Sequence, residues 1–308
     1  MIKRLQNRIA TSRWALPVTV AYGLVVSLAA GLLRESMWLN FALLFASTVM
    51  MAELNNGNAL IRIYSRMVSC SFLVMTSMSL FLFRTVNVAV VQITFITFLL
   101  FLLRTYQNPN ATGMTFYAFC ALGISSVVFP QVLLFLPALW IVMAVYMQCF
   151  SPRTFLSSIL GIIAPYWFVA AWLIYTGQID WLGTHFLSIF QFGKPFLATN
   201  VGLHEWVTFG FVLFCAILGG VHFAIFSYQD RIRIRMIYEL FIVLDALTIL
   251  FGVIQPQHFD FLLGMSIVLT APLIGHWLAL THTRLSNILS MVLAAGALAI
   301  TIFNLIDA

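Results

Sequence analysis

The chain has 308 residues, of which 62% are apolar and only 8% are Asp, Glu, Lys or Arg. A soluble domain carries about a quarter charged residues because its surface faces water, so this ratio excludes a soluble fold. The formal charge of +6 rests on few residues, and in a membrane protein such an excess records orientation, so nucleic acid is discounted as a partner.

Hydrophobic runs recur along the whole length and leave no stretch for a water-soluble module, so residues 1–308 read as a single integral membrane domain. The first segment, Met1 to Arg13, carries Lys3, Arg4, Arg8 and Arg13 ahead of an apolar run from Trp14 to Leu33. It has the layout of a signal peptide, but the run is long enough to cross a hydrocarbon core of about 30 Å at about 1.5 Å per residue, so a retained anchor is expected. Ten further runs follow at 37–53, 67–83, 86–103, 113–129, 131–149, 155–175, 206–227, 237–254, 259–280 and 286–305. The expected fold is all-α, a polytopic transmembrane helical bundle of about eleven spans.

Lys and Arg collect in short cytoplasmic loops. With the N-terminus inside and the C-terminus outside, twelve basic residues fall on the cytoplasmic side: Lys3, Arg4, Arg8, Arg13, Arg62, Arg66, Arg104, Arg153, Arg231, Arg233, Arg235 and Arg284. Only Arg34, Arg84 and Lys194 fall outside, and shifting one early span would scramble this division. The one long connection, residues 176–205, interleaves Trp181, Phe186, Leu187, Ile189, Phe190, Phe192 and Phe196 with polar residues, which suits an interfacial or re-entrant segment. Cys70, Cys120, Cys149 and Cys215 lie in apolar runs without C-x-x-C spacing and read as small buried hydrophobes.

Ionisable groups within a bilayer are costly, so each is a functional candidate. Asp245 sits about 12 Å along its span, and His222 and His276 lie near the cytoplasmic ends of theirs. A carboxylate among imidazoles can relay protons or hold a metal, and Pro272 frees a carbonyl and kinks the helix before His276. The structural alternative is hydrogen bonding to Ser, Thr or His on neighbouring helices. On the outer side, Asp180, His185, Lys194, His204, Glu205, His258 and Asp260 are candidates for general acid or base work on a lipid-linked substrate, against the plain reading of a solvated rim. On the cytoplasmic side, Arg62, Arg66, Arg104 and Arg153 match phosphate or lipid headgroups, and Arg62 and Arg66 share a face if helical. Glu53, Asn55, Asn56, Gly57 and Asn58 read as a turn between spans. No metal-ligand motif or cofactor fingerprint is present, and the cofactor is unknown.

At LNNGNALIRIYSRM, LLRTYQNP and FSPRTFLSSILGIIAPYW the chain resembles a family of uncharacterised multi-pass inner-membrane proteins of Bacteroidota. The resemblance implies a bacterial inner membrane and carries no activity. Proteins of this appearance are also likened to membrane carotenoid-cleaving oxygenases, which hold iron with four intramembrane histidines; only His222 and His276 are clearly intramembrane in this chain. The expected function is handling of a lipid- or polyprenyl-linked substrate in cell-envelope assembly, as a transferase or translocation component. The membrane lipids that serve as partners would be anionic or polyprenyl-linked. Proton-coupled small-molecule transport, metal-dependent oxygenation and a non-enzymatic scaffold are the alternatives.

Overall fold

The computed structural model describes residues 4–193, 196 and 201–306, so Lys3, Lys194 and Ala308 lie outside it. The described residues are helical, with no β-strand among them. A short helix, α1 (Leu5–Ala10), precedes α2 (Ala15–Ala29), α3 (Trp38–Asn58), α4 (Met67–Met78), α5 (Leu80–Arg84), α6 (Val86–Leu102) and α7 (Thr112–Val128). The chain continues through α8 (Leu136–Val145), α9 (Pro152–Thr176), α10 (Asp180–Leu187), α11 (Leu203–Phe226), α12 (Ile232–Ile254), α13 (Phe259–Leu280) and α14 (Arg284–Ile306).

Among the described residues, six helical stretches are long and apolar enough to cross a membrane: Val86–Thr105, Pro152–Thr176, Leu203–Gln229, Ile232–Ile254, Pro256–Leu280 and Arg284–Ile306. The chain is therefore a helical membrane protein. Shorter apolar helices, Ala15–Ala29, Met67–Met78, Thr112–Val128 and Pro130–Val145, accompany them.

Two expected runs are interrupted. That of 67–83 breaks at Ser79, which leaves the helical region and donates its hydroxyl back to the Met75 carbonyl. That of 131–149 opens as a 3-10 turn, Pro130–Phe135, where Pro130 has no N–H for an α-helical ladder. The Asn55–Asn58 cluster is not a turn but the last turn of α3, closed by Ala59 in the left-handed conformation.

Burial is arranged inside out relative to a soluble bundle. α13 is the central helix, with 89% of its apolar window enclosed by α4, α6, α11 and α12. The peripheral α9 and α14 bury only 22% and 17% of theirs, and α9 presents Trp167, Phe168, Trp172 and Tyr175 outward. Contiguous aromatic surface of this kind suits lipid and not water.

The connections sort to two ends. At one, Arg62 meets Gln229, Arg233 meets Asn58 and the Leu103 carbonyl, and Ser151 meets the Pro109 carbonyl. Here α1 lies across the last turn of α13: the Gln6 and Asn7 amides donate to the carbonyls of Leu278 and Thr281, which the helix itself leaves unpaired. At the opposite end, Asn40 caps the Phe83 carbonyl, Arg84 faces Glu35 at 4.0 Å, and Gln257 bonds the Gln191 carbonyl.

Candidate functional site

The polar site at the arginine-rich end is set by the close approach of α11 to α13. A Cβ on Gly219 would lie 2.6 Å from the Leu273 carbonyl carbon, so only glycine permits this contact. One turn further on, His222 comes to 5.8 Å from His276, ring centre to ring centre. His276 is 1% exposed and held edge-on by Phe223 and Tyr238. Its Nε2 lies 3.1 Å from the Asp230 carboxylate, which follows the turn after α11 and is itself almost fully buried. An ionised carboxylate only accepts hydrogen bonds, so Nε2 supplies the proton of this contact. The Nδ1 atoms of both His276 and His222 are buried without a partner. Arg62 reaches in from the α3–α4 connection and donates to the Gln229 side chain at 2.7 Å.

These groups line a cavity of about 360 Å³, with Thr281, His282 and Ser286 on its other wall. A second, apolar cavity of about 620 Å³ opens between α1, α2 and α14, floored by Met75, Cys70, Cys215 and Ile274. The two share walls from α11, α13 and α14: on α11, Phe211 and Cys215 face the apolar cavity, whereas Leu218 and His222 face the polar one.

Asp245 is elsewhere. It is 2% exposed and accepts hydrogen bonds from Ser266 and Thr270, both at 2.7 Å, on the facing helix α13. It lines neither of these two cavities. Pro272 lies inside α13, which continues helical past it.

The outer candidates do not form one constellation. His185 is buried, with Nε2 3.1 Å from the Ser126 carbonyl and 3.3 Å from the Tyr166 hydroxyl, and its ring stacks on Trp181. Burial pushes its pKa down, and the Ser126 carbonyl opposes that. Asp180 begins the same helix and is exposed. His204 and Glu205 open α11, where Glu205 accepts from the N–H of the N-cap Gly202, and Asp260 on α13 is near enough to feel the Glu205 charge. His258 is separate again, between the Gln257 amide and the Phe129 ring. Lys194 lies outside the described residues.

The arginines also divide. Residues 59–66 form an irregular connection, so Arg62 and Arg66 share no helical face. The cause is the α3 cap at Ala59, with the loop tied by the Asn55 amide to the Ser65 carbonyl. Arg66 lies over Tyr64, Arg104 faces Glu53 at 3.9 Å, and Arg153 is exposed at the start of α9.

Asp230 and Gln229 had no signal in the sequence, since a lone Asp before an arginine run reads as a loop charge. Asn58 likewise proves to be the acceptor of Arg233.

Among the described residues, no group of three or more His, Cys, Asp or Glu side chains is placed to hold a metal ion. His222 and His276 come together as a pair, two histidines where the likened iron site uses four. No family model, curated protein or solved structure matches the chain.

Proposed function

We propose that this chain handles a lipid- or polyprenyl-linked substrate in a bacterial inner membrane, as a transferase or translocation component of cell-envelope assembly. The observation that carries this reading is the apolar cavity of about 620 Å³ lined by membrane-spanning helices, next to a polar cavity at the arginine-rich end. An apolar tail fits the first, and the second offers polar contacts to what the tail carries. In this reading the chain crosses the membrane eleven times, with the arginine-rich end in the cytoplasm and the C-terminus outside. Supporting it, each of the eleven apolar runs centres on helical backbone, and Arg62 and Arg233 meet Gln229, Asn58 and the Leu103 carbonyl at one end.

The test is to purify the protein in mild detergent and identify the lipids that stay with it by mass spectrometry. A specific prenyl or acyl lipid should be enriched over the bulk membrane, and Cys215→Trp, which fills the apolar cavity, should remove it. Bulk composition in both samples would end the reading.

A further inference from the structure

We propose that the polar cavity between Arg62, His222 and His276 is a binding site for a phosphate monoester, the head of the lipid substrate. The proposal rests on the lipid reading above and adds the chemistry of the headgroup and the residues that hold it.

Three observations support it. First, two residues of the cavity wall, His222 and His276, each have a buried Nδ1 without a hydrogen-bond partner. Buried polar atoms in native proteins are paired, so two unpaired ring nitrogens on neighbouring residues of one cavity wall point to a ligand there. Because Asp230 holds Nε2 of His276, any ligand contact from that ring runs through Nδ1. Second, Arg62 lies at the wall, exposed, and among the described residues its bonded partner is the neutral Gln229 side chain, with no carboxylate within ion-pair distance. A guanidinium so placed matches phosphate oxygens with parallel donors. A monoester near neutral pH offers acceptor oxygens and, in part, an O–H, so it satisfies either protonation state of the imidazoles. Asp230 lines the same cavity with its carboxylate bonded to Nε2 of His276, so the positive charge that draws a phosphate there is that of Arg62. Third, the site lies along the same helices as the apolar cavity. Cys215 and His222 lie seven residues apart on α11, about 10 Å by helix rise, one facing each cavity. A lipid whose tail lies beside Cys215 would bring its head to His222.

Free phosphate and a prenyl phosphate present the same chemistry, and the experiment separates them. The full-length protein in detergent is titrated calorimetrically with farnesyl phosphate, farnesol and inorganic phosphate, alongside Arg62→Gln and His222→Gln. Farnesyl phosphate is expected to bind more tightly than farnesol. Each variant should weaken farnesyl phosphate about tenfold or more, the loss of one charge-assisted bond, and leave farnesol unchanged. Farnesyl phosphate binding that is the same in the wild type and both variants would overturn the phosphate site while leaving the lipid reading intact. Inorganic phosphate that binds through Arg62 without competition from farnesyl phosphate would keep the site and overturn its lipid source. Binding of none of the three would remove both.

Discussion

Asp245, His185 and His276 are three buried polar residues of one chain with three different surroundings. Asp245 receives two hydroxyls from α13 and is closed off, so it joins α12 to α13 as an interhelical hydrogen-bonded contact. His276 lines the polar cavity, with one ring nitrogen held by Asp230 and the other buried without a partner. His185 ties α10 down on α7 and α9 through Ser126 and Tyr166. Because burial lowers the His185 pKa, the unfolded or undocked state binds more protons, and docking is stabilised at high pH. The docked state should weaken as pH falls through the ordinary histidine value of about 6.5. Trp181, stacked on the ring at 4.4 Å, reports this. Lowering the pH from 7.5 to 5 should raise hydrogen exchange in residues 180–190 and change tryptophan emission, and His185→Gln should abolish both responses.

Helices here are positioned by close backbone contact as much as by side-chain packing. Gly219 is the clearest instance, since α11 and α13 meet there at a distance no Cβ tolerates, and the meeting places His222 against His276. Gly219→Ala should force the pair apart and destabilise the protein by about 1–3 kcal/mol, the usual result of overpacking. Gly210→Ala, on the same helix with nothing within 4 Å, is the control and should be neutral or mildly stabilising. A thermal melt in detergent compares them, and equal midpoints would show that the α11–α13 contact is looser than described. The long helices were legible because a bilayer imposes runs of about 20 apolar residues that few other structures need. The interruptions at Ser79 and Pro130 were not, because local hydroxyl and proline effects there occur within runs of unbroken hydrophobicity. The helical state of Asn55–Asn58 was also hidden: Asn favours turns, but here Asn55 and Asn58 are used by Ser65 and Arg233 from other parts of the chain.

At the level of the whole molecule, the candidate site was legible only in pieces. The sequence marks His222, His276 and Arg62 as costly or phosphate-seeking groups, each for its own reason. That they meet is a matter of packing: Arg62 finds Gln229 across 167 positions and His276 finds Asp230 across 46. Separations of this kind leave no periodic trace. The outer acid–base set shows the reverse, with residues close in sequence that fold onto different partners, as His185 turns inward while Asp180 stays exposed. Both cavities take their meaning from which side of the membrane the arginine-rich end faces, and the proposed topology, which rests on the twelve-to-three division of basic residues, has it face the cytoplasm. A reporter active only in one compartment, fused after Ala308, tests that directly. An odd number of crossings with the N-terminus inside predicts activity outside the cytoplasmic membrane, and a cytosolic signal would contradict the crossing count and the placement of the phosphate site together.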